Sequence, residues 1–469
     1  MGIFKRKENI ILILILTLGS FLRFYRLDEL MPFIADQGWF YIQARDALLS
    51  GSIPLVGIPS SHPWLHQGAF WTYILMILFK IFNFNPITPA YFTATLGVVT
   101  IAIVYKLGSN LFSRKVGLLS SFLYATSPLV IADSRMAYHT SPIPFLTAIL
   151  IYSVYKWLKG SLLFFPFVIF LLAVLYNFEI ATFTLAIIVF LIFSFGVIKK
   201  KTWVVGLFKP KFVTLSALGL VIPMVPMIIY DLSHGFPQTL RFGAWLFYRV
   251  AVFFGFPPIN PNSPAETWIT FISFFVNQLQ KLIFLPSKEF SVAILALAIG
   301  YVGYRVFKDY KRRSPSIPYI LVLLFTTISI AGYIAAKTNS AAYLLILYPQ
   351  ISIVIALFWK KIFYPRKKTL GIILLILIFL TNSYFLIKAN FLTGPTFVQR
   401  IEAAKEIIEK SDNKPYNIEG QGEGSQYESF IMPHEYLTWW LGQGPSRKNE
   451  KLKFYVSEHP DRIDIENTK

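Results

Sequence analysis

The sequence predicts an all-α protein that crosses a membrane about eleven times, with interfacial helices in its first external loop and a small α/β domain at its C-terminal end. Three observations predict this. Of 469 residues, 55% are hydrophobic and only 14% charged, where soluble domains carry about 25% charged residues. Apolar runs of bilayer length recur over the first 390 residues, whereas the remainder holds 13 of the 24 acidic residues. The net charge of +20 is gathered in short basic clusters between apolar runs. That is the pattern of cytoplasmic loops facing anionic lipid, and no groove-reading module accompanies it, so nucleic acid is not an expected partner.

The first run, near 9–26, follows Lys5-Arg6-Lys7 and has no small-residue cleavage site behind it, so it reads as an uncleaved first helix. The next, 66–83, begins His66-Gln67 and carries Lys80. If it spanned, every later basic cluster would land outside, so it is expected to lie in the interface. Spans are then expected near 89–112, 116–132, 142–158, 161–178, 180–198, 212–231, 289–307, 317–336, 341–359 and 369–389. With that threading Arg114/Lys115, Lys156/Lys159, Lys199–Lys201, Lys308–Arg313 and Lys360–Lys368 share the N-terminal, cytoplasmic side of a cell membrane, and the C-terminus lies outside. Residues 391–469 read as a small extracytoplasmic domain packed on the membrane part, with a helix at Val398–Lys410 and strands near Tyr416–Ile418 and Leu452–Val456. The glycines of Gly420–Gly424 read as a turn. Cysteine is absent, which excludes disulfides and thiolate metal sites.

The polar residues left over gather on the external side. Asp36 lies just beyond the first span, before a stretch from Gly38 to Leu49 in which Trp39, Ile42, Ala44, Leu48 and Leu49 recur at helical spacing. A carboxylate at a membrane surface is costly unless paired or used. The residues alone allow Asp36 equally as a helix N-cap and as a general base, with Gln37 and Tyr41 supporting it. His62 and His66 flank Pro63 and Trp64; their spacing could share a metal, but no further ligands are evident, and His62 better suits orienting a substrate or phosphate. Asp133, Arg135, Tyr138 and His139 cluster where a span exits, as interfacial anchors or as an anion site with Arg135 the cation. Lys337, outside between two spans, and Arg241 and Arg249, eight apart on an aromatic-rich stretch, could hold a phosphate or merely snorkel. The aromatic residues Trp39, Phe40, Tyr41, Trp64, Trp71, Trp245, Phe247 and Tyr248 fit sugar stacking and an interfacial belt equally.

In the order of these features the chain resembles the type-C (GT-C) polyprenyl-phosphate-sugar glycosyltransferases, in particular the protein O-mannosyltransferases and aminoarabinose transferases. The resemblance rests on Asp36 in the first external loop, His62-Pro63-Trp64-Leu65, Ser127-Pro128, Ser134-Arg135 and the stretch Tyr343 to Pro349, and covers about residues 1–390. It implies a GT-C bundle, Asp36 as catalytic base, a polyprenyl-phosphate sugar as donor, and an acceptor hydroxyl on protein, lipid or glycan. Two positions depart from the family pattern. Gln37 replaces a glutamate, and Thr140 stands where many members carry a second aspartate. A divalent metal is left open, with His139 or Asp133 as substitutes for the missing carboxylate. A secondary transporter would place ionisable residues mid-span rather than at span ends. A polysaccharide polymerase or ligase is the other alternative.

Overall fold

The computed structural model describes residues 2–60, 64–256, 268–336, 340–364, 366–392 and 394–468. Its helices run α1 Gly2–Phe24, α2 Leu27–Leu30, α3 Ala35–Ser50, α4 Phe70–Ile81, α5 Thr88–Leu111, α6 Arg114–Thr126, α7 Pro128–Ser134, α8 Ile143–Leu158, α9 Phe164–Phe178 and α10 Phe183–Ile198. They continue with α11 Thr202–Val205, α12 Pro210–His234, α13 Pro237–Phe253, α14 Trp268–Ile283, α15 Lys288–Lys311, α16 Ile317–Ala336, α17 Tyr348–Phe363, α18 Lys368–Lys388, α19 Phe397–Ser411 and α20 Met432–Trp440.

Seven helical stretches among the described residues are long and apolar enough to cross a membrane, eight if α6 and α7 form one bent span. The other expected spans correspond to α1, which opens on a basic cluster, and to α8 and α9, which have 16 and 15 residues. At 12 residues α4 is about 18 Å long, well short of the roughly 30 Å hydrocarbon core. It is the shortest of the three shorter apolar helices among the described residues, which suits the interfacial placement expected from the basic pattern.

Chemistry explains the breaks that matter. α6 and α7 meet at 65°. Pro128 lacks a backbone N–H and pushes Ser127 into an extended conformation, so the helix cannot run through. Ser127 Oγ donates instead to Leu282 O at 2.5 Å, pinning the bend to the end of α14. α9 stops where Glu179 turns extended, and its carboxylate accepts from Ala181 N at 3.1 Å at the start of the next turn. The α12–α13 corner turns at Gly235, whose φ of 79° suits a residue without Cβ. Asp231 clamps that corner by accepting from Gln238 N at 2.7 Å and Thr239 N at 3.0 Å.

The tail forms a three-stranded sheet of β1 Asn417–Gln421, β2 Lys453–Glu458 and β3 Ile463–Asn467, in that order. β1 pairs parallel to β2, with Ile418 opposite Phe454, and β2 antiparallel to β3. Tyr416, Ile418, Phe454, Val456 and Ile407 of α19 form its core. The tail packs on the membrane part. Phe397, Ala404, Tyr436 and Leu437 join the main core of the bundle. Tyr436 donates its hydroxyl to Phe84 O at 2.7 Å and packs its ring on Tyr41 and Phe79, while Arg45 lies 4.8 Å from the Trp439 ring. A Cβ at Gly38 would fall 2.3 Å from Pro433 N, so only glycine permits this approach of α20 to α3.

The docked tail also covers one face of α3. The buried face of that helix is Gln37, Gly38, Phe40, Tyr41, Ala44 and Ala47, while Leu49 is exposed and Trp39 and Ile42 are half-buried. α4 and α20 are the helices that bury it. The stretch between the spans expected near 212–231 and 289–307 holds two amphipathic helices, α13 and α14.

Candidate active site

Asp36 lies inside the first turn of α3, and Ile34 rather than Asp36 occupies the N-cap. Gln37 Oε1 accepts from Ile34 N at 2.9 Å, closing that helix end without help from Asp36. The Asp36 carboxylate, half-buried, is thus left for another use. It accepts a hydrogen bond of 2.8 Å from the Tyr138 hydroxyl, on the loop between α7 and α8. Buried Gln37 fixes that loop from beneath by donating Nε2 to Ala137 O at 3.2 Å. Burial holds the Tyr138 phenol well above its ordinary pKa, and the Asp36 and Glu179 carboxylates add to the effect. Tyr138 therefore stays a proton donor at any pH at which the protein works.

From Tyr138 a line of polar groups runs across the same face. The neighbouring His139 ring lies 4.3 Å away, and its Nε2 is 3.1 Å from Glu179 Oε2. Both residues are buried, at 5% and 7% exposed. Gln67 Nε2 reaches the same Glu179 oxygen at 3.4 Å. The loop carrying Gln67 is folded by a bridge between Pro59 and His66, and it approaches the end of α9 so closely that a Cβ at Gly68 would lie 2.6 Å from the Asn177 backbone. Next along, the His66 backbone exchanges two hydrogen bonds with the Gln238 side chain, at 3.2 and 3.1 Å. Burial lowers the His66 pKa, and the nearby positive charge of Arg241 adds to the shift. Leu65, Ile180 and Trp245, with Trp64, Tyr176 and Phe242, form an aromatic floor beside this loop.

The expected site residues thus separate into groups. Asp36, Tyr138 and His139 come together, with Arg241 at the far end of the line. His62, Lys337 and residues 257–262 of the Pro-rich run lie outside the described residues. Arg249 donates to Ala336 O at 3.1 Å, at the end of α16 and next to Lys337 in sequence. Tyr41 is fully buried and donates to Pro86 O at 3.1 Å, which makes it a packing residue. Asp133 accepts from the Tyr348 hydroxyl and lies near Lys281, away from this line.

Arg135 is used differently from the expected phosphate contact. Its guanidinium is fully buried and donates to Leu22 O, Arg23 O and Tyr25 O at 3.3, 3.0 and 2.9 Å and to Arg26 O at 3.4 Å. It therefore satisfies the open carbonyls at the C-terminus of α1, with the Phe391 ring 4.0 Å away. Of the aromatic set, Tyr41 and Trp71 are core and Phe247 is 78% exposed; buried Phe40 packs its ring 5.2 Å from that of His139, and Trp64 and Trp245 lie beside the loop that carries Gln67.

Glu179 and Gln67 were not singled out as site residues from the sequence. The available signal was a glutamate between two apolar runs, where a charge needs a partner. His139 and Glu179 bond to each other, and no group of three or more His, Asp or Glu side chains among the described residues could hold a metal ion.

Residues 62–230 match the family model for dolichyl-phosphate-mannose-protein mannosyltransferases. Among solved structures, ArnT from Cupriavidus metallidurans bound to undecaprenyl phosphate is similar with a TM-score of 0.63 at 10% identity, over 95% of this chain and 92% of that one. The archaeal oligosaccharyltransferase AglB from Archaeoglobus fulgidus, in complex with an inhibitory peptide and a dolichol-phosphate, is similar with a TM-score of 0.57 at 15% identity, over 93% of this chain. The chain spans 64% of the length of that oligosaccharyltransferase. No curated protein sequence matches it. At these identities the likeness is one of fold: the chain carries the GT-C membrane fold.

Proposed function

We propose that this GT-C-fold membrane protein transfers a sugar from a polyprenyl-phosphate carrier to an acceptor hydroxyl on the extracytoplasmic face, with inversion at the anomeric carbon. The observation that carries the reading is Asp36: a half-buried carboxylate, not needed as a helix cap, held by the Tyr138 hydroxyl at one end of the bundle. The fold likeness to a protein bound to undecaprenyl phosphate and to another complexed with a dolichol-phosphate supports the donor class. The match to a mannosyltransferase family model supports glycosyl transfer.

In the proposed step the acceptor oxygen attacks the anomeric carbon from the side opposite the phosphate. Asp36 takes the proton from that hydroxyl as the new C–O bond forms. The bond to the carrier phosphate breaks, and its electron pair leaves with the polyprenyl phosphate. The charge that develops on the phosphate needs positive partners. Arg241 lies near enough to His66 to act on its charge, and Lys337 and His62 are the further candidates that the sequence offers. The carrier needs little more than a groove between helices, because its chain gains about 0.8 kcal/mol per buried CH₂ by staying in the bilayer.

Tyr138 holds the base in place, so Tyr138→Phe is expected to slow transfer about tenfold, the loss of one charge-assisted hydrogen bond of about 1.4 kcal/mol. The rate of label transfer by purified Tyr138→Phe against the unaltered protein checks this. The function itself is tested by incubating the purified protein with a labelled polyprenyl-phosphate sugar and hydroxyl acceptors. Label on the acceptor supports the reading. Uptake or exchange of substrate with no acceptor labelled would favour a transporter, and chain growth on a glycan would favour a polymerase.

A further inference from the structure

A second site lies at the other end of the bundle. The Asp36 face holds the C-terminus of α1 and the N-terminus of α5, and α5 then runs 24 residues, about 36 Å, to Leu111. Around Leu111 a cavity of about 540 Å³ opens between α5, α6, α15, α16 and α17. Lys115, Arg305, Lys360 and Lys361 all line it, together with Tyr301, Tyr319 and Tyr364. No acidic side chain lines it among the described residues; Asp309 approaches Arg305 only at 3.8 Å.

Four cations facing one cavity repel one another, and a folded protein gathers them where an anion neutralises them. Solvated lysines at the ends of spans would spread along the surface instead. Here the aromatic rings hold them in place: Arg305 lies 5.0 Å from the Tyr319 ring centroid and Lys115 5.6 Å from that of Tyr364. Lys360 is fixed by donating to Ser113 Oγ at 3.1 Å. Arg305 Nε is buried with no hydrogen-bond partner, a donor left open. Three apolar residues, Leu111, Phe112 and Leu357, line the same cavity between spans, at the end that the basic clusters assign to the cytoplasm.

We infer that this cavity binds the phosphate of an anionic bilayer lipid, with Arg305, Lys115 and Lys360 as its ligands and the tyrosines as the frame around the headgroup. The fork of Arg305 suits two phosphate oxygens, and the lysines act as point charges. This site is independent of the sugar-transfer reading.

The test is calorimetric titration of the full-length detergent-purified protein with dioctanoyl phosphatidic acid, with dioctanoyl phosphatidylcholine and inorganic phosphate as comparison probes. Saturable binding of phosphatidic acid is expected, at least tenfold tighter than either comparison probe. Arg305→Gln and Lys360→Gln should each weaken it at least tenfold, and Lys360→Arg should keep it. If either Gln variant fails to fold, Lys361→Gln at the exposed rim is expected to fold and to weaken binding several-fold. Equal binding of inorganic phosphate would overturn the lipid assignment. Undiminished binding in the folded Gln variants, or no saturable binding at all, would overturn the site.

Discussion

Asp36→Asn is expected to lower the rate of sugar transfer by roughly 10²–10⁴-fold, the contribution typical of a positioned general base. Asparagine keeps the shape of the side chain, and its carbonyl oxygen can still accept from Tyr138, so the fold and the position of α3 are retained. What it lacks is the basicity to take the acceptor's proton. The loss should therefore fall on turnover, with the concentration dependence on the lipid donor changed little. A residue that only started a helix would behave differently, costing about 1 kcal/mol of stability on replacement and leaving the rate alone. The structure already separates these roles, because Ile34 is the N-cap and Gln37 closes the helix end. Transfer rates and melting temperatures of the two proteins, measured side by side, check the assignment.

Arg135→Ala is expected to destabilise the protein by on the order of 3 kcal/mol. The substitution strips the guanidinium hydrogen bonds from the carbonyls of Leu22, Arg23 and Tyr25, whereas Arg26 O keeps its bond from Leu30 N, and it leaves a cavity beside Phe391. Each buried acceptor left without a partner costs about 1–3 kcal/mol, less what water recovers. Arg135→Lys should rescue little, since a single ammonium cannot reach the span that the guanidinium fork covers. The readout is the apparent melting temperature in detergent. A lipid-phosphate ligand would give the opposite pattern, with stability kept and the requirement for donor raised.

Much of the fold was legible because bilayer physics writes it coarsely. The apolar runs near 89–112, 180–198 and 317–336 became α5, α10 and α16 within a few residues. The 66–83 run, which the basic clusters place in the interface, holds the short helix α4 of 12 residues. Less legible were the elements whose burial comes from distant partners. Gly38 reads as a flexible point in an amphipathic helix, yet it is the spot where Pro433, almost 400 residues later, packs against α3. No local pattern carries that contact. α13 and α14 were hidden for a related reason: each is too polar for a span.

The candidate site divides the same way. Asp36, Tyr138 and His139 could be nominated because polar residues beside apolar runs are conspicuous. Their mutual contact depends on the α6–α7 bend at Pro128 and on Gln37 holding the loop after α7. Arg135 stood out for the same reason but serves the end of α1, because a buried guanidinium answers whichever acceptors surround it. Glu179 went unnominated since its partners, His139 and Gln67, are 40 and 112 residues away.

The most direct measurement exploits the absence of cysteine from the chain. Asp36→Cys creates a single thiol, which can be probed in intact cells with a membrane-impermeant maleimide and again in the presence of polyprenyl phosphate. The thiol should be labelled from outside, and the lipid should protect it. Labelling only after the cells are permeabilised, or labelling indifferent to the lipid, would contradict the assignment of this carboxylate to a lipid-fed transfer site.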